Sequence, residues 1–285
     1  MYKSWVNGQS AQSISLLDRG LAYGDGLFET ILIQFVKPLL LRQHLDRLCA
    51  GAEYLRIPLD RMQLSDEISR FINEAAAEKK IDGGSQCVLK ILLTRGVGGR
   101  GYQFSDTSQI PSRILQLFPF PNYPAENASS GIKIRVCETR VSQNSFLAGL
   151  KHLNRIDNVI ARNEWDDPSI AEGLMLDASG MLIEGTMSNV FIVKNGMLFT
   201  PSLAHAGVAG VMRERVLQVA DTAGLSVQVV VSFSLNMLIS CDEIFICNSV
   251  IGIWPVTSFE SQRWSVGSIT KRLQALIQEQ HSSDK

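Results

Sequence analysis

Gly149-Leu150-Lys151-His152-Leu153-Asn154-Arg155, followed by Ile183-Glu184-Gly185-Thr186-Met187-Ser188-Asn189-Val190-Phe191, is the stretch that decides how this chain is read. A lysine ahead of a helix is, by itself, usually a solvated surface charge. Here the pattern turns helical from Arg155 onward. Ile156, Val159 and Ile160 fall on one face and Arg155, Asp157, Arg162 and Glu164 around the others, so Lys151 precedes the helix. The run Phe146-Leu147-Ala148-Gly149-Leu150 reads as buried chain leading that lysine into an interior. Desolvation there would favour the uncharged, nucleophilic amine, which is Schiff-base chemistry in outline.

The second half of the stretch supplies an acid. Leu174-Met175-Leu176, the turn Asp177-Ala178-Ser179-Gly180 and Met181-Leu182-Ile183 read as a hairpin ending at Glu184. A carboxylate at the mouth of an apolar hairpin needs a partner, either a structural salt bridge or, as the sharper alternative, a pyridinium nitrogen. A short polar bend then leads to a buried strand over 190–193, closed by Lys194-Asn195-Gly196.

With 285 residues and 45% hydrophobic content, the chain can bury the core of one large domain or of two ordinary ones. A formal net charge of −1 argues against an extended basic surface for nucleic acid, so any anion site must be built locally from arginines and backbone amides. The cysteines at 49, 87, 137, 241 and 247 are scattered and form no Cys-x-x-Cys, which argues against a disulfide framework or zinc ribbon and fits a reducing, cytoplasmic setting. His44, His152, His205 and His281 are too far apart in sequence to offer metal-ligand spacing, and no metal is expected. The N-terminus carries no apolar signal region, and the run over 31–41 is short and broken by Gln34, Lys37 and Pro38, so no membrane segment is expected.

Working outward, Trp5-Val6-Asn7-Gly8-Gln9 reads as a strand and hairpin turn. The loop that follows carries Leu17-Asp18-Arg19-Gly20-Leu21-Ala22-Tyr23-Gly24-Asp25-Gly26-Leu27-Phe28-Glu29-Thr30. Residues 31–41 form strand and turn, and apolar residues at 45, 48, 52 and 55 then mark a helix with Arg47 beside its buried stripe. An arginine there is ordinarily solvated or locally ion-paired. A second amphipathic helix covers 68–77 and stops at Asp82-Gly83-Gly84.

A buried strand over 86–94 runs into Arg95-Gly96-Val97-Gly98-Gly99-Arg100-Gly101-Tyr102. Glycine-rich nucleotide loops require a helix directly after the glycines. Here Gln103-Phe104-Ser105-Asp106-Thr107-Ser108 and Pro111 point to a second turn and a strand over 114–118, which argues against a nucleotide fold. Arg100 and Tyr102 are suited to gripping a carboxylate, through a fork of N–H donors and a hydroxyl; an ordinary hairpin loop is the plainer alternative.

Pro119-Phe120-Pro121-Asn122-Tyr123-Pro124 reads as the interdomain linker. It divides a smaller N-terminal α/β domain, 1–118, from a larger C-terminal α/β domain, 126–285, that carries Lys151, with 119–125 between them. In the larger domain a strand covers 132–138, and Gly207-Val208-Ala209-Gly210-Val211-Met212-Arg213-Glu214-Arg215 opens directly into a helix ending near Gly224. Free N–H groups at that helix start would receive a phosphate. A strand over 227–231, the polar strand end Phe245-Ile246-Cys247-Asn248-Ser249-Val250 and a closing helix over 269–278 complete the chain.

Together these segments resemble the fold-type IV pyridoxal 5′-phosphate enzymes, the group of D-amino acid and branched-chain aminotransferases and aminodeoxychorismate lyases. The resemblance spans almost the whole chain: Asp18-Arg19-Gly20, Tyr23-Gly24-Asp25-Gly26, His44-Leu45-Asp46-Arg47-Leu48, the lysine segment, Glu184-Gly185, Ser188-Asn189-Val190-Phe191 and Gly210-Val211-Met212-Arg213. Gly98-Gly99-Arg100-Gly101-Tyr102 and Lys151-His152-Leu153-Asn154-Arg155 resemble the lyases more than the aminotransferases, and the segment from Asn248 to Val256 agrees more loosely.

The resemblance implies an α/β (α+β), two-domain, D-amino acid aminotransferase-like fold with the cofactor in the cleft between domains. It also implies a homodimer in which a loop of the other subunit helps close the site. Lys151 would carry pyridoxal 5′-phosphate and act as the catalytic base, and Glu184 would pair with the pyridine nitrogen. Arg47, the amides of Val211 and Met212, and Ser249 would hold the phosphate; Thr30, Arg100 and Tyr102 would face the substrate. The implied reaction converts aminodeoxychorismate to 4-aminobenzoate and pyruvate in folate biosynthesis. An aminotransferase for D-amino or branched-chain amino acids, and a cofactor-free binding protein on the same fold, are the alternatives.

Overall fold

The computed structural model describes residues 3–82, 84, 86–104 and 110–283, so most of the turn expected over 103–108 lies outside the described residues. By packing, the chain forms two compact units: Met1–Asn122 with Leu150–Asn154, and Tyr123–Gly149 with Arg155–Lys285.

In the first unit the elements are β1 (Lys3–Val6), β2 (Gln9–Ser10), α1 (Arg19–Tyr23), β3 (Gly26–Gln34), β4 (Lys37–Pro38), α2 (Leu41–Tyr54), α3 (Arg61–Ala77), β5 (Gln86–Thr94) and β6 (Ser112–Pro119). Its strands make one antiparallel sheet in the order β2-β1-β6-β5-β3-β4. Alternation along β3 buries Leu27, Glu29, Ile31 and Ile33, while Phe28 and Thr30 point the other way and stay half-buried. Leu45, Leu48 and Ala52 of α2 and Leu64, Ile68, Phe71 and Ala75 of α3 complete the core.

Among the boundaries that differ from the sequence expectation, such as the start of β3 at Gly26 in place of residue 31, two have identifiable reasons. The helix expected from residue 68 begins at Arg61, because the Asp60 carboxylate accepts the N–H groups of Met62 and Gln63. The loop expected around residue 20 contains the short helix α1, started by Asp18 accepting the Gly20 N–H and stopped by Gly24 at φ +64°. In the core of this unit Arg113 forks onto Glu67, with Nε–Oε2 at 3.0 Å and Nη2–Oε1 at 2.7 Å.

The second unit contains α4 (Glu126–Ser129), β7 (Ile132–Arg140), α5 (Ile156–Arg162), β8 (Ile170–Leu176), β9 (Leu182–Gly185), β10 (Asn189–Lys194), β11 (Met197–Pro201), α6 (Val211–Thr222), β12 (Val227–Val230), α7 (Leu235–Ile239), β13 (Glu243–Asn248), β14 (Gly252–Phe259), β15 (Gln262–Arg263) and α8 (Ser268–Ser283). The mixed sheet runs β12-β11-β10-β13-β14-β7-β8-β9, with β15 on β14. Leu174, Leu182, Val190, Ile192, Ile244, Ile246, Trp254 and Phe233 lie among its buried residues. The β8–β9 turn closes as its sequence implies: Asp177 accepts the N–H groups of Ser179 and Met181, and Gly180 takes φ +79°.

Around Lys151 the structure corrects two expectations. The run from Phe146 to Leu150 is not buried chain; Phe146 is 77% exposed, because the backbone there is tied down by Asn144 N–H to His205 O and Gly149 N–H to Gly207 O while the side chain turns outward. The apolar face of α5 is likewise exposed at Ile156, Val159 and Ile160, while the helix buries Ala161. The lysine segment, expected with the C-terminal part, packs with the first unit: the Lys151 carbonyl accepts the Phe28 N–H at 2.9 Å, and Leu153 N–H donates to Gly26 O at 3.0 Å.

Candidate active site

The first unit gathers its candidates around β3. The backbone bonds to Phe28 and Gly26 lay the lysine segment along the start of this strand, and the Lys151 ammonium stands 4.2 Å from the centroid of the Phe28 ring. Thr30 lies two residues on, on the same face, and pairs in register with Lys90 of β5. The Lys90 ammonium also reaches the Phe28 ring, at 5.6 Å. Lys151, Phe28, Thr30 and Lys90 thus belong to one face of the sheet.

On the opposite face of β3, Glu29 meets two side chains from α2. Arg47 forks onto it through Nε and Nη2, and His44 Nδ1 lies 2.6 Å from Oε2. Burial alone would raise the Glu29 pKa; the Arg47 charge and the His44 and Arg47 hydrogen bonds bring it below the ordinary carboxylate range. Burial lowers the His44 pKa, and the charges of Arg47 and Lys151 lower it further against the pull of Glu29. These influences favour the neutral imidazole, in which Nδ1–H donates a hydrogen bond to Glu29.

The glycine-rich loop is held by α1 and the residues around it. Asp25 accepts from Arg19 Nε and from Arg95 Nε and Nη2. So oriented, Arg19 donates Nη1 to Gly101 O at 2.8 Å and Nη2 to Tyr102 O at 3.1 Å, while the Gly101 N–H donates to the Tyr23 hydroxyl at 3.0 Å. The backbone next to Arg100 is clamped, whereas the Arg100 side chain is exposed and Tyr102 is 86% exposed. Gly96, at φ +84°, would place a Cβ 1.9 Å from Ile110 O, so the entry to this loop admits only glycine.

The second unit gathers the remaining candidates. Glu184 lies within β9, not beyond its end, and is 4% exposed; its Oε2 accepts the Val208 N–H at 2.8 Å. Asn189 donates Nδ2 to Val208 O at 2.9 Å, and its Oδ1 leaves no room for a side chain on Gly210. Segment 207–210 is thereby fixed immediately before α6. Gly210 caps that helix without a side-chain hydrogen bond, so the first amides, at Val211 and Met212, keep the free donors and positive potential of a helix start.

The bend between β9 and β10 is organised by Glu172, which is 0% exposed. Its carboxylate accepts from Thr186 N–H and Oγ1, Met187 N–H and Ser188 Oγ. Burial raises its pKa against the pull of those donors. Asn248 ties the same bend to the turn after β13, donating Nδ2 to Met187 O while its Oδ1 accepts the N–H groups of Val250 and Ile251. Ser249 sits in that turn, half-buried.

The chain is similar to known proteins along nearly its whole length. The family model for amino-transferase class IV matches residues 26–259. The chain belongs to the class IV aminotransferase family. It is similar to the 4-amino-4-deoxychorismate lyase of Pseudomonas aeruginosa, a solved structure, with 42% identity, a TM-score of 0.88 and coverage of 97% of this chain and 98% of that one. It is 36% identical to the aminodeoxychorismate lyase of Vibrio harveyi over 95% of this chain and 97% of that protein. It is 26% identical to the D-alanine aminotransferase of Bacillus licheniformis over 95% and 92% of the two. The fold-type IV architecture and dependence on pyridoxal 5′-phosphate come with the family.

Each unit carries residues of the types that cofactor needs. Lys151 offers an amine beside an aromatic face, Arg47 a fixed guanidinium, Glu184 a buried carboxylate, and α6 an uncapped start for a phosphate. Among the described residues no group of three or more His, Cys, Asp or Glu is placed to hold a metal ion, and no helix is long and apolar enough to cross a membrane.

Glu29, His44, Glu172 and Asn189 escaped the sequence reading as site residues. For Glu29 a signal existed, since it occupies the buried phase of a strand otherwise filled by Leu27, Ile31 and Ile33.

The neutral state of His44 has a thermodynamic consequence. Its folded pKa lies below the unfolded value of about 6.5, so its contribution to stability is complete above that pH and is lost as pH falls toward the folded pKa. The melting temperature should decline on acidification from about pH 6.5 to pH 5, and His44→Gln should make this decline shallower. An unchanged slope in the variant would show that His44 is not held neutral.

Proposed function

We propose that the protein is a pyridoxal 5′-phosphate-dependent lyase that converts 4-amino-4-deoxychorismate to 4-aminobenzoate and pyruvate, in the cytoplasm, as a step of folate biosynthesis. Similarity to two lyases at 42% and 36% identity supports this reading. The observation that carries it is the clamped loop: Arg19 and Tyr23 fix the backbone at Gly101 and Tyr102, so Arg100 is presented from a rigid base in a chain of net charge −1. A substrate with two carboxylates needs such local positive charge.

The roles follow from the chemistry of each group. When bound, the cofactor supplies an electron sink for the carbanion formed beside the substrate nitrogen. Arg47, the Val211 and Met212 amides and Ser249 would bind its phosphate, and Glu184 would pair with its ring nitrogen. Lys151 would hold it covalently and, as a base, would take the proton from the substrate carbon that bears nitrogen. Arg100 and Tyr102, with Thr30, hold the substrate so that its enolpyruvyl oxygen departs. Loss of pyruvate leaves an aromatic ring, which makes the step effectively one-way.

The homodimer belongs to the same proposal. Phe146, Ile156, Val159 and Ile160 of the second unit, and Leu16, Leu17 and Leu21 of the first, are exposed apolar side chains of the kind a partner surface covers. Sedimentation should give twice the chain mass of 31.5 kDa; a monomer at micromolar concentration would remove this part of the reading.

Purified holoprotein given aminodeoxychorismate should release pyruvate and 4-aminobenzoate in equal amounts with no 2-oxo acid present. Product that forms only when 2-oxoglutarate is supplied would instead establish an aminotransferase.

A further inference from the structure

Glu29 is 1% exposed, and both of its oxygens are engaged: Oε1 by Arg47 Nε at 2.8 Å, Oε2 by Arg47 Nη2 and by His44 Nδ1. The fork uses one whole edge of the guanidinium. It therefore sets the plane of Arg47 relative to the sheet, where an arginine on a helix flank would otherwise sample many rotamers.

His44 braces the other end of the pair. It is fully buried, its Nε2 has no hydrogen-bond partner among the described residues, and its Nδ1 hydrogen-bonds Glu29 Oε2 at 2.6 Å. The charged and titratable groups facing this cluster are Arg47 from α2 and Lys151 from the lysine segment.

We propose that Glu29 is a positioning residue for phosphate recognition, locking Arg47 in a single orientation, with His44 as its brace, for a phosphate monoester dianion. The proposal rests on Arg47 being a ligand of the cofactor phosphate. It runs against the simpler electrostatic expectation. If Glu29 served only to neutralise a partly buried arginine, removing its charge would leave Arg47 more positive and strengthen phosphate binding. If Glu29 orients Arg47, removing the charge weakens it.

The test measures affinity of apoprotein for pyridoxal 5′-phosphate and for pyridoxal, which lacks the phosphate, by absorbance and fluorescence titration in wild type, Glu29→Gln, Arg47→Ala and the double variant. Glu29→Gln should weaken pyridoxal 5′-phosphate binding by about tenfold or more, the scale of a charge-assisted fork, and leave pyridoxal binding unchanged. The double variant should bind no more weakly than Arg47→Ala alone. Should the Gln variant not fold, Glu29→Asp, which withdraws the carboxylate by one methylene, should show the same phosphate-selective loss. Equal losses for both ligands, or unchanged or tighter phosphate binding, overturn the positioning role while leaving Arg47 as a ligand. If Arg47→Ala itself binds both ligands like wild type, the underlying assignment of Arg47 fails, and this proposal fails with it.

Discussion

A carboxylate taken out of water must find its donors before the chain can close over it, and the architecture of this protein follows from where its buried carboxylates find theirs. Glu29 collects Arg47 and His44 from α2 onto β3, the half-buried Asp25 joins Arg19 to Arg95, and Glu67 ties α3 to β6 through Arg113. In the second unit Glu172 draws the bend over 186–188 onto β8, and Glu184 draws segment 207–210 onto β9. Each of these contacts fixes a loop or helix that carries a candidate site residue or supports one that does. Such contacts are sensitive to position: an orphaned buried charge destabilises by about 3–5 kcal/mol, so each carboxylate tolerates little displacement.

The same constraint explains which parts of the fold were legible in sequence. Strands such as β5 and β10, where apolar residues run between clear breakers, were read with nearly their observed bounds. The β8–β9 turn was equally clear, because Asp177 and Gly180 lie within the turn they make. The start of α6 was legible because its glycine-spaced approach opens directly into the helix. Contacts between distant positions were not. Nothing in the local sequence around Arg19 indicates that its guanidinium will hold the carbonyls of Gly101 and Tyr102, since that geometry exists only once β3 and β5 have paired.

Apolar composition misled where burial depends on direction. Phe146 and the Ile156, Val159 and Ile160 face of α5 have the hydrophobicity of core residues, yet these side chains are exposed, Phe146 beside a backbone tied down at Asn144 and Gly149. Glu29 is the converse case, a charged residue whose place in a period-2 pattern puts it inside.

Lys151 is the residue on which the account as a whole stands, and its chemistry can be read directly. Holoprotein treated with borohydride, digested and analysed by mass spectrometry should carry a single phosphopyridoxyl group, on the peptide containing Lys151. A label on Lys90 or any other lysine, or no label after incubation with excess pyridoxal 5′-phosphate, would contradict it.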